Sequence, residues 1–182
     1  MSTTKWTLDP AHSELQFKVK HMMVSNLTGS IGSFQVTVDA EGADIEDARI
    51  HFEGELDSIS TGNAQRDAHL KNEDFFDTAR FPKIQFASTS FKKINDDGDY
   101  ALNGELTIRD VTRPVSLQVN FGGQAKDPWG NTKAGFSVSG KINRKDWGLN
   151  YNAVLETGGV MVGEDVRILA ELQMAQVTEA AA

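Results

Sequence analysis

Apolar and polar residues alternate along almost the whole chain, and this period of two constrains the fold more than any other feature. Because successive side chains of a β-strand point to opposite faces, the alternation predicts strands with one apolar and one polar face. Eight runs show it, with apolar positions within Leu15–Val19, Phe34–Val38, Ile50–Leu56, Ile84–Phe86, Tyr100–Ile108, Val115–Phe121, Phe136–Ile142 and Val166–Met174. The sequence therefore predicts an all-β protein.

Turn residues between the runs indicate antiparallel hairpins, at Asp96–Asp99 and at Asp127–Asn131. A sandwich and a closed barrel both bury one face of every strand, so alternation alone does not separate them. Gly54, Gly104 and Gly140 fall on apolar faces, where they either leave space for a ligand or mark bends by which the strands curl. Both explanations favour a barrel over a flat sandwich.

Two connections are long, 25 residues from Ser58 to Pro82 and 22 residues from Asn143 to Glu164. Long connections in a compact domain are usually functional or flexible. In the first, Asn63 is predicted to cap a short helix that acts as a lid. Phe75 and Phe76 follow this helix, and they either plug the end of the barrel as ordinary core or contact a ligand directly.

Length and composition predict a soluble, single domain over residues 1–182, with 178–182 as a disordered tail. The chain has no cysteine, which excludes disulfides and thiolate metal sites. It carries 18 Lys and Arg against 26 Asp and Glu, a net charge of −8, and the basic residues are spread along the sequence. This balance disfavours nucleic-acid binding and membrane-surface attachment. Stable membrane insertion is not expected either, because no apolar run is long enough.

The first residues, MSTTKWTLDP, lack the basic and apolar regions of a secretory signal, which predicts a cytoplasmic protein. The alternative is a periplasmic protein whose leader has been removed. No run of the sequence is long and apolar enough for a membrane helix.

The four histidines show no tight metal-binding spacing, so no metal or cofactor is predicted. His12, Ser13, Asp67 and His69 could form a polar set for nucleophilic catalysis, although adjacency in sequence is weak evidence for it. Arg66 and His69, one helical turn apart, suit the phosphate or carboxylate oxygens of a ligand's head group. Alternatively, Arg66 and His69 have only a structural role and form ion pairs with Asp67 or Asp74.

Several motifs, in order along the chain from Trp6 to about Met174, together resemble the YceI-like family. They are Trp6-x-Leu8-Asp9-x-x-His12-Ser13, Phe17-x-Val19-x-His21-Met22, Gly29 with Phe34, Thr61-Gly62-Asn63-x-x-Arg66-Asp67-x-His69-Leu70, Asp74-Phe75-Phe76-Asp77, Phe81-Pro82-x-Ile84-x-Phe86, Gly104-x-Leu106-Thr107-Ile108-Arg109-x-Val111-Thr112-x-Pro114-Val115 and Arg144-x-Asp146-Trp147-Gly148.

This resemblance implies an eight-stranded antiparallel lipocalin-like barrel that holds a polyisoprenoid or another long-chain, fatty-acid-like lipid in its lumen. It implies no shared catalytic mechanism, and the protein is predicted to be a binding protein rather than an enzyme. Many members of the family are exported to the periplasm, and this sequence departs from them because it shows no leader.

The function predicted from these observations is binding, sequestration or transport of such a lipid, with a stress-response role as a further expectation. The predicted wall contacts are Phe17, Val19, Phe34, Phe52, Phe86, Leu106, Ile108 and Phe136, with Phe75 and Phe76 as the lid and Arg66 and His69 at the head group. The rivals are a lipid or ester hydrolase using the His12, Ser13, Asp67 and His69 region, and a solidly packed stress protein that binds a protein partner. A homodimer remains open.

Overall fold

The computed structural model describes residues 3–41, 44–152, 155 and 161–177. Its strands are β1 (Thr3–Leu8), β2 (Glu14–His21), β3 (Ser25–Ile31), β4 (Phe34–Glu41), β5 (Arg49–Glu55), β6 (Ile59–Ser60), β7 (Lys83–Lys93), β8 (Asp99–Ile108), β9 (Val111–Lys126), β10 (Thr132–Asn143) and β11 (Val162–Gln176). One α-helix, α1 (Ala64–Lys71), and 3₁₀ turns at Pro10–His12, Leu56–Ser58 and Arg144–Trp147 complete the described elements. The predicted tail at 178–182 lies outside the described residues.

The strands form a closed antiparallel barrel. Neighbours around the ring follow the order β1, β4, β5, β7, β8, β9, β10 and β11, and β11 pairs with β1 to close it. Closure pairs the backbone groups that an open sheet would leave at its edges. The predicted eight-stranded antiparallel barrel is confirmed.

Three strands, β1, β3 and β6, were not among the eight predicted runs. β11 pairs with β1 at Met174 and with β2 at Ile168. β1 and β2 are therefore two parts of one long strand, interrupted by a bend. The same holds for β3 with β4 and for β5 with β6. β4 pairs with β1 and β5, and β3 pairs with the continuations of those two strands, β2 and β6. The barrel wall therefore consists of eight long strands, three of which are interrupted by a bend.

The bend between β1 and β2 has a local cause in sequence. Pro10 lacks the N–H group that a ladder needs, and it begins a 3₁₀ turn whose Ala11 N–H donates to the Asp9 carboxylate at 3.2 Å. Ser13 Oγ donates to the Asp9 carbonyl at 2.8 Å and accepts from the Gln173 N–H at 2.9 Å. The bend is thus hydrogen-bonded to β11 in place of the missing ladder.

The two ends of the barrel differ. The hairpin end has the turns at 94–98 and 127–131, and the helix end has the turn at 22–24, the segment 61–82 with α1, and the 3₁₀ turn Arg144–Trp147. Toward the hairpin end, buried side chains such as Trp6, Phe91 and Met174 pack into a core, with Phe91 stacked on Tyr100 at 4.7 Å between ring centroids. Among the described residues, no helix is long and apolar enough to cross a membrane.

Candidate ligand cavity

An apolar cavity of about 220 Å³ lies inside the barrel. Strands β2 to β11 all contribute side chains to its wall, together with Leu70 of α1 and Phe75 and Phe76 beyond it. Among the described residues around it, only Gln16 and Arg144 are polar, and Gln16 pairs with the outward-facing Leu169, so its side chain points away from the cavity. Because apolar cavities of about 150 Å³ stay dry and bind small apolar molecules, a cavity of this size and lining can take an apolar chain.

Most of the residues predicted as wall or lid contacts line this cavity. They are Phe17, Val19, Phe34, Phe52, Phe75, Phe76, Phe86, Leu106 and Ile108. They meet there because the period of two places one face of each strand inside the barrel. Phe136 does not line the cavity; its ring packs against Phe121 at 5.1 Å between centroids, within the core.

The interior glycines leave no space for a ligand, although the sequence allowed that explanation. A Cβ on Gly140 would lie 2.3 Å from Cδ2 of Leu117, and one on Gly54 would lie 3.0 Å from Ile84 and Phe52. Gly104 is covered by the ring of Phe86 in the same way. These glycines let neighbouring side chains lie across the strands, so the cavity lies elsewhere along the inner face.

The segment after α1 closes the helix end of the cavity. Asn63 caps α1 as predicted, accepting from the Arg66 N–H at 2.9 Å. The chain then turns back, with the Phe75 N–H donating to the Asn72 carbonyl at 3.1 Å and the Phe76 N–H to the Leu70 carbonyl at 3.0 Å. Phe75 is buried, and both rings line the cavity, so they form part of the wall in this conformation.

Arg66 does not line the cavity. Its Nε donates to Thr61 Oγ1 at 2.7 Å and its Nη2 to the Thr61 carbonyl at 2.8 Å. Thr61 in turn donates through its N–H and its hydroxyl to the Asp67 carboxylate, at 2.8 and 2.6 Å. The guanidinium therefore ties the start of α1 to the residues that follow β6.

His69 also lies outside the cavity wall. Its Nε2 and the Asp74 carboxylate are 2.8 Å apart, which is the structural pairing that the sequence left open. The imidazole ring packs edge-on against Phe75 at 5.1 Å and Tyr151 at 4.7 Å. His69 thus contacts a cavity residue without facing the cavity itself.

Arg144, which the sequence analysis did not select, is a buried cation in the cavity wall. It is 4% exposed, and its guanidinium donates to the carbonyls of Leu149, Tyr151, Val162 and Gly163 at 2.5 to 3.2 Å. Burial lowers the pKa of Arg144, and attraction to Glu164 opposes this shift. The sequence feature that could have identified Arg144 as a functional residue is its position in the Arg144-x-Asp146-Trp147-Gly148 motif.

Trp147 of the same motif belongs to the hydrophobic core. Its indole Nε1 donates to the Leu106 carbonyl at 2.8 Å, and the ring is buried. Together, Arg144 and Trp147 attach the connection after β10 to β11 and to β8.

The residues of the hydrolase alternative fall into two separately bonded groups. His12 pairs with Asp9 at 3.0 Å and Ser13 bonds to Asp9 and Gln173, whereas Asp67 and His69 lie on α1 with partners of their own. Among the described side chains, no hydrogen bond joins the two groups, and no cluster of three possible metal ligands occurs. Ser13, the one hydroxyl of this set, bonds to the Asp9 carbonyl and the Gln173 N–H and not to a side-chain base.

Comparison with known proteins agrees with the barrel fold. The sequence profile of the YceI-like domain matches residues 6–174. The chain belongs to the YceI-like family. A UPF0312 protein of Staphylococcus aureus strain MSSA476 is 40% identical over 171 residues, which cover 93% of this chain and 96% of that protein.

Solved structures extend the family likeness to the fold. The crystal structure of the Campylobacter jejuni YceI protein is similar with a TM-score of 0.75 and 29% identity, covering 94% of this chain and 97% of that one. A polyisoprenoid-binding domain from Saccharophagus degradans shares the fold with a TM-score of 0.69 and 13% identity, covering 94% and 98% of the two chains.

Proposed function

We propose that this YceI-like protein binds a polyisoprenoid or a similar long-chain lipid in the barrel, and that it sequesters or carries this lipid. The observation that carries the proposal is the apolar cavity of about 220 Å³, to which nearly every strand contributes. Membership of the YceI-like family and the fold shared with a polyisoprenoid-binding domain support it. The cavity itself is at odds with a solidly packed barrel.

The hydrophobic effect supplies the affinity. Each buried CH₂ group contributes about 0.8 kcal/mol, so roughly ten such groups give about 8 kcal/mol, which corresponds to a micromolar Kd. A longer chain needs either a wider cavity or an exit beside Phe75 and Phe76, which close the helix end. We therefore expect these two rings to move when a long ligand enters.

For the polar head, the cavity geometry favours Arg144 over Arg66 and His69. Arg144 lies in the cavity wall, whereas Arg66 and His69 lie outside it, with their side chains bonded to Thr61 and Asp74. Arg144 has no carboxylate among its described hydrogen-bond partners, so its positive charge favours an anionic or strongly polar head. His69 would reach a ligand only after Phe75 moves aside.

Native mass spectrometry and lipid extraction of protein purified from its own source test the proposal. A bound long-chain lipid is expected in the wild type and a strongly reduced amount in Val166→Phe, because Val166 lines the cavity. The matched control is Leu169→Phe, since Leu169 lies on the outer face of the same strand. Absence of any lipid from the wild type, also after incubation with polyisoprenoid, would rule the proposal out.

A further inference from the structure

The turn between β2 and β3 exposes three consecutive apolar side chains. Met22 is 45%, Met23 60% and Val24 82% exposed. The turn lies at the helix end of the barrel, directly after Val19 of the cavity wall, and the Met22 N–H donates to the Met161 carbonyl at 2.7 Å. An apolar tip therefore extends from the same end as the closing rings of Phe75 and Phe76.

The backbone of this turn is unfavourable for methionine. Met22 has φ 51° and Met23 φ 63°, and the Val24 N–H donates to the His21 carbonyl at 3.2 Å. Two central residues with positive φ are typical of a type I′ turn, in which Asn and Gly are strongly preferred. The methionines thus occupy positions where their backbone is strained, which indicates a use for their side chains.

A row of cations crosses the outer face just behind this turn. Arg167 of β11 lies opposite Lys18 of β2 on one side and opposite Lys141 of β10 on the other. Like charges directly opposite one another destabilise a sheet. Lys141 has Asp165 at 3.8 Å, but in the described part of the chain Lys18, Lys20 and Arg167 form no ion pair.

The other end of the barrel also has exposed apolar residues, but Lys93 beside Ile94 is paired with Asp96 at 2.9 Å. Ile94 and Trp129 are 61% and 83% exposed in its turns. The same turns carry Asp96, Asp97 and Asp127. An anionic surface is therefore attracted locally by the cation row behind the turn at 22–24, although the whole chain has a net charge of −8.

We propose that the turn Met22–Val24 docks on an anionic lipid bilayer, with Lys18, Lys20 and Arg167 facing its head groups. Apolar groups of such peripheral contacts enter about 5–10 Å into the interface. At about 3.3 Å per strand residue, Lys20 lies about 7 Å and Lys18 about 13 Å behind Met22. Lys20 then reaches the head groups, and Lys18 and Arg167 stay within roughly one Debye length, about 8 Å, of them.

Docking in this orientation turns the cavity's closing segment toward the membrane. The attachment itself needs no lipid inside the barrel, but its use in taking up or delivering a lipid rests on the proposed function. The contact is electrostatic and small, so it is expected to weaken as salt is raised.

Co-sedimentation with vesicles tests the docking surface. The full chain is mixed with vesicles of phosphatidylglycerol and phosphatidylcholine, or of phosphatidylcholine alone, and is expected to bind the first more tightly. The variant Met22→Asn/Met23→Gly/Val24→Ser removes the apolar tip but suits the turn, so it is expected to lose vesicle binding while keeping its Tm. Lys18→Gln/Lys20→Gln/Arg167→Gln is expected to weaken binding to the anionic vesicles roughly a hundredfold.

The control Ile94→Ser/Trp129→Ser removes the apolar residues of the opposite end and is expected to bind like the wild type. The proposal is overturned if the wild type ignores anionic vesicles, binds both vesicle types equally, or is unaffected by the turn variant. It is also overturned if sedimentation velocity shows that the turn holds two copies of the chain together and vesicles do not compete. Lipid content measured in parallel separates this outcome from the proposed function, since the turn variant should retain its lipid.

Discussion

The ring of Phe86 lies across Gly104 on the neighbouring strand. A Cβ on Gly104 would lie 2.4 Å from Cζ of Phe86 and 2.5 Å from the carbonyl oxygen of Ala87. Phe86 pairs with Leu106 in the ladder, so its ring covers the position two residues before its direct partner. The absence of a side chain at Gly104 therefore sets how one ring of the cavity wall is placed.

Gly104→Ala is expected to destabilise the protein by about 2 kcal/mol, the usual scale for overpacking a close-packed interior. Movement of the Phe86 ring cannot relieve the strain fully, because the Ala87 backbone is equally close. Urea denaturation measures the free energy of unfolding. Gly135→Ala is the control, since a Cβ there would have no heavy atom within 4 Å; equal loss in both variants would contradict the packing explanation.

Asp9→Asn is expected to lower stability by about 2 kcal/mol at pH 7, the scale of hydrogen bonds to a charged group. Asp9 joins the bend after β1 to Lys133 of β10 at 3.1 Å and to Gln173 of β11 at 3.2 Å. Denaturation of the wild type and the variant over a range of pH measures the effect. Glu105→Gln, which changes an exposed carboxylate, is the control for net charge.

The pH dependence of this difference has a definite sign. Hydrogen bonding to His12, followed by the bond and charge of Lys133, holds the pKa of Asp9 below its usual value, against the effect of burial. A carboxylate whose pKa is lower in the folded state stabilises the protein above the unfolded pKa, about 3.9, and this contribution is lost as the pH falls through the folded pKa. A gap between wild type and variant that widened below about pH 4 would contradict the assignment.

Arg144→Lys is expected to cost about 2 to 4 kcal/mol. Lysine keeps the charge but has three donors on one nitrogen, whereas the planar guanidinium reaches four carbonyls on both sides of the connection after β10. Faster amide exchange at Val162 and Gly163 should accompany the loss. The exposed swap Arg113→Lys is the control, and a stability change as small as that of the control would show that the fork geometry is unimportant.

Asn63→Ala is expected to destabilise α1 locally by about 1 kcal/mol, because it removes the side chain that accepts from the Arg66 N–H. Hydrogen exchange of the amides of α1 should become faster, while exchange in β8 and β9 stays unchanged. Gln65→Ala, at an exposed position of the same helix, serves for comparison. Equal acceleration in the barrel strands would mean that α1 unfolds only together with the barrel.

Local sequence determined the inner and outer faces of the strands. The period of two assigns side chains to the inner or outer face within each strand, whichever strand it pairs with. Phe17, Phe34, Phe52 and Phe86 could therefore be assigned to the inner face before any pairing was known. The cap at Asn63 was equally local, since its partner lies three residues away. β1, β3 and β6 were missed because they are short or largely polar, and their pairing partners hold them extended.

Contacts that depend on register were decided only by the tertiary structure. Asp9 and Lys133 are separated by 124 positions, and Arg144 bonds to carbonyls up to 19 positions away. The cations Lys18, Lys141 and Arg167 look dispersed in the sequence and stand in one row in the sheet. The order of residues determined which side chains face inward, because that depends on neighbours along one strand; which charges and rings meet depends on how distant strands align, and barrel closure decides that alignment.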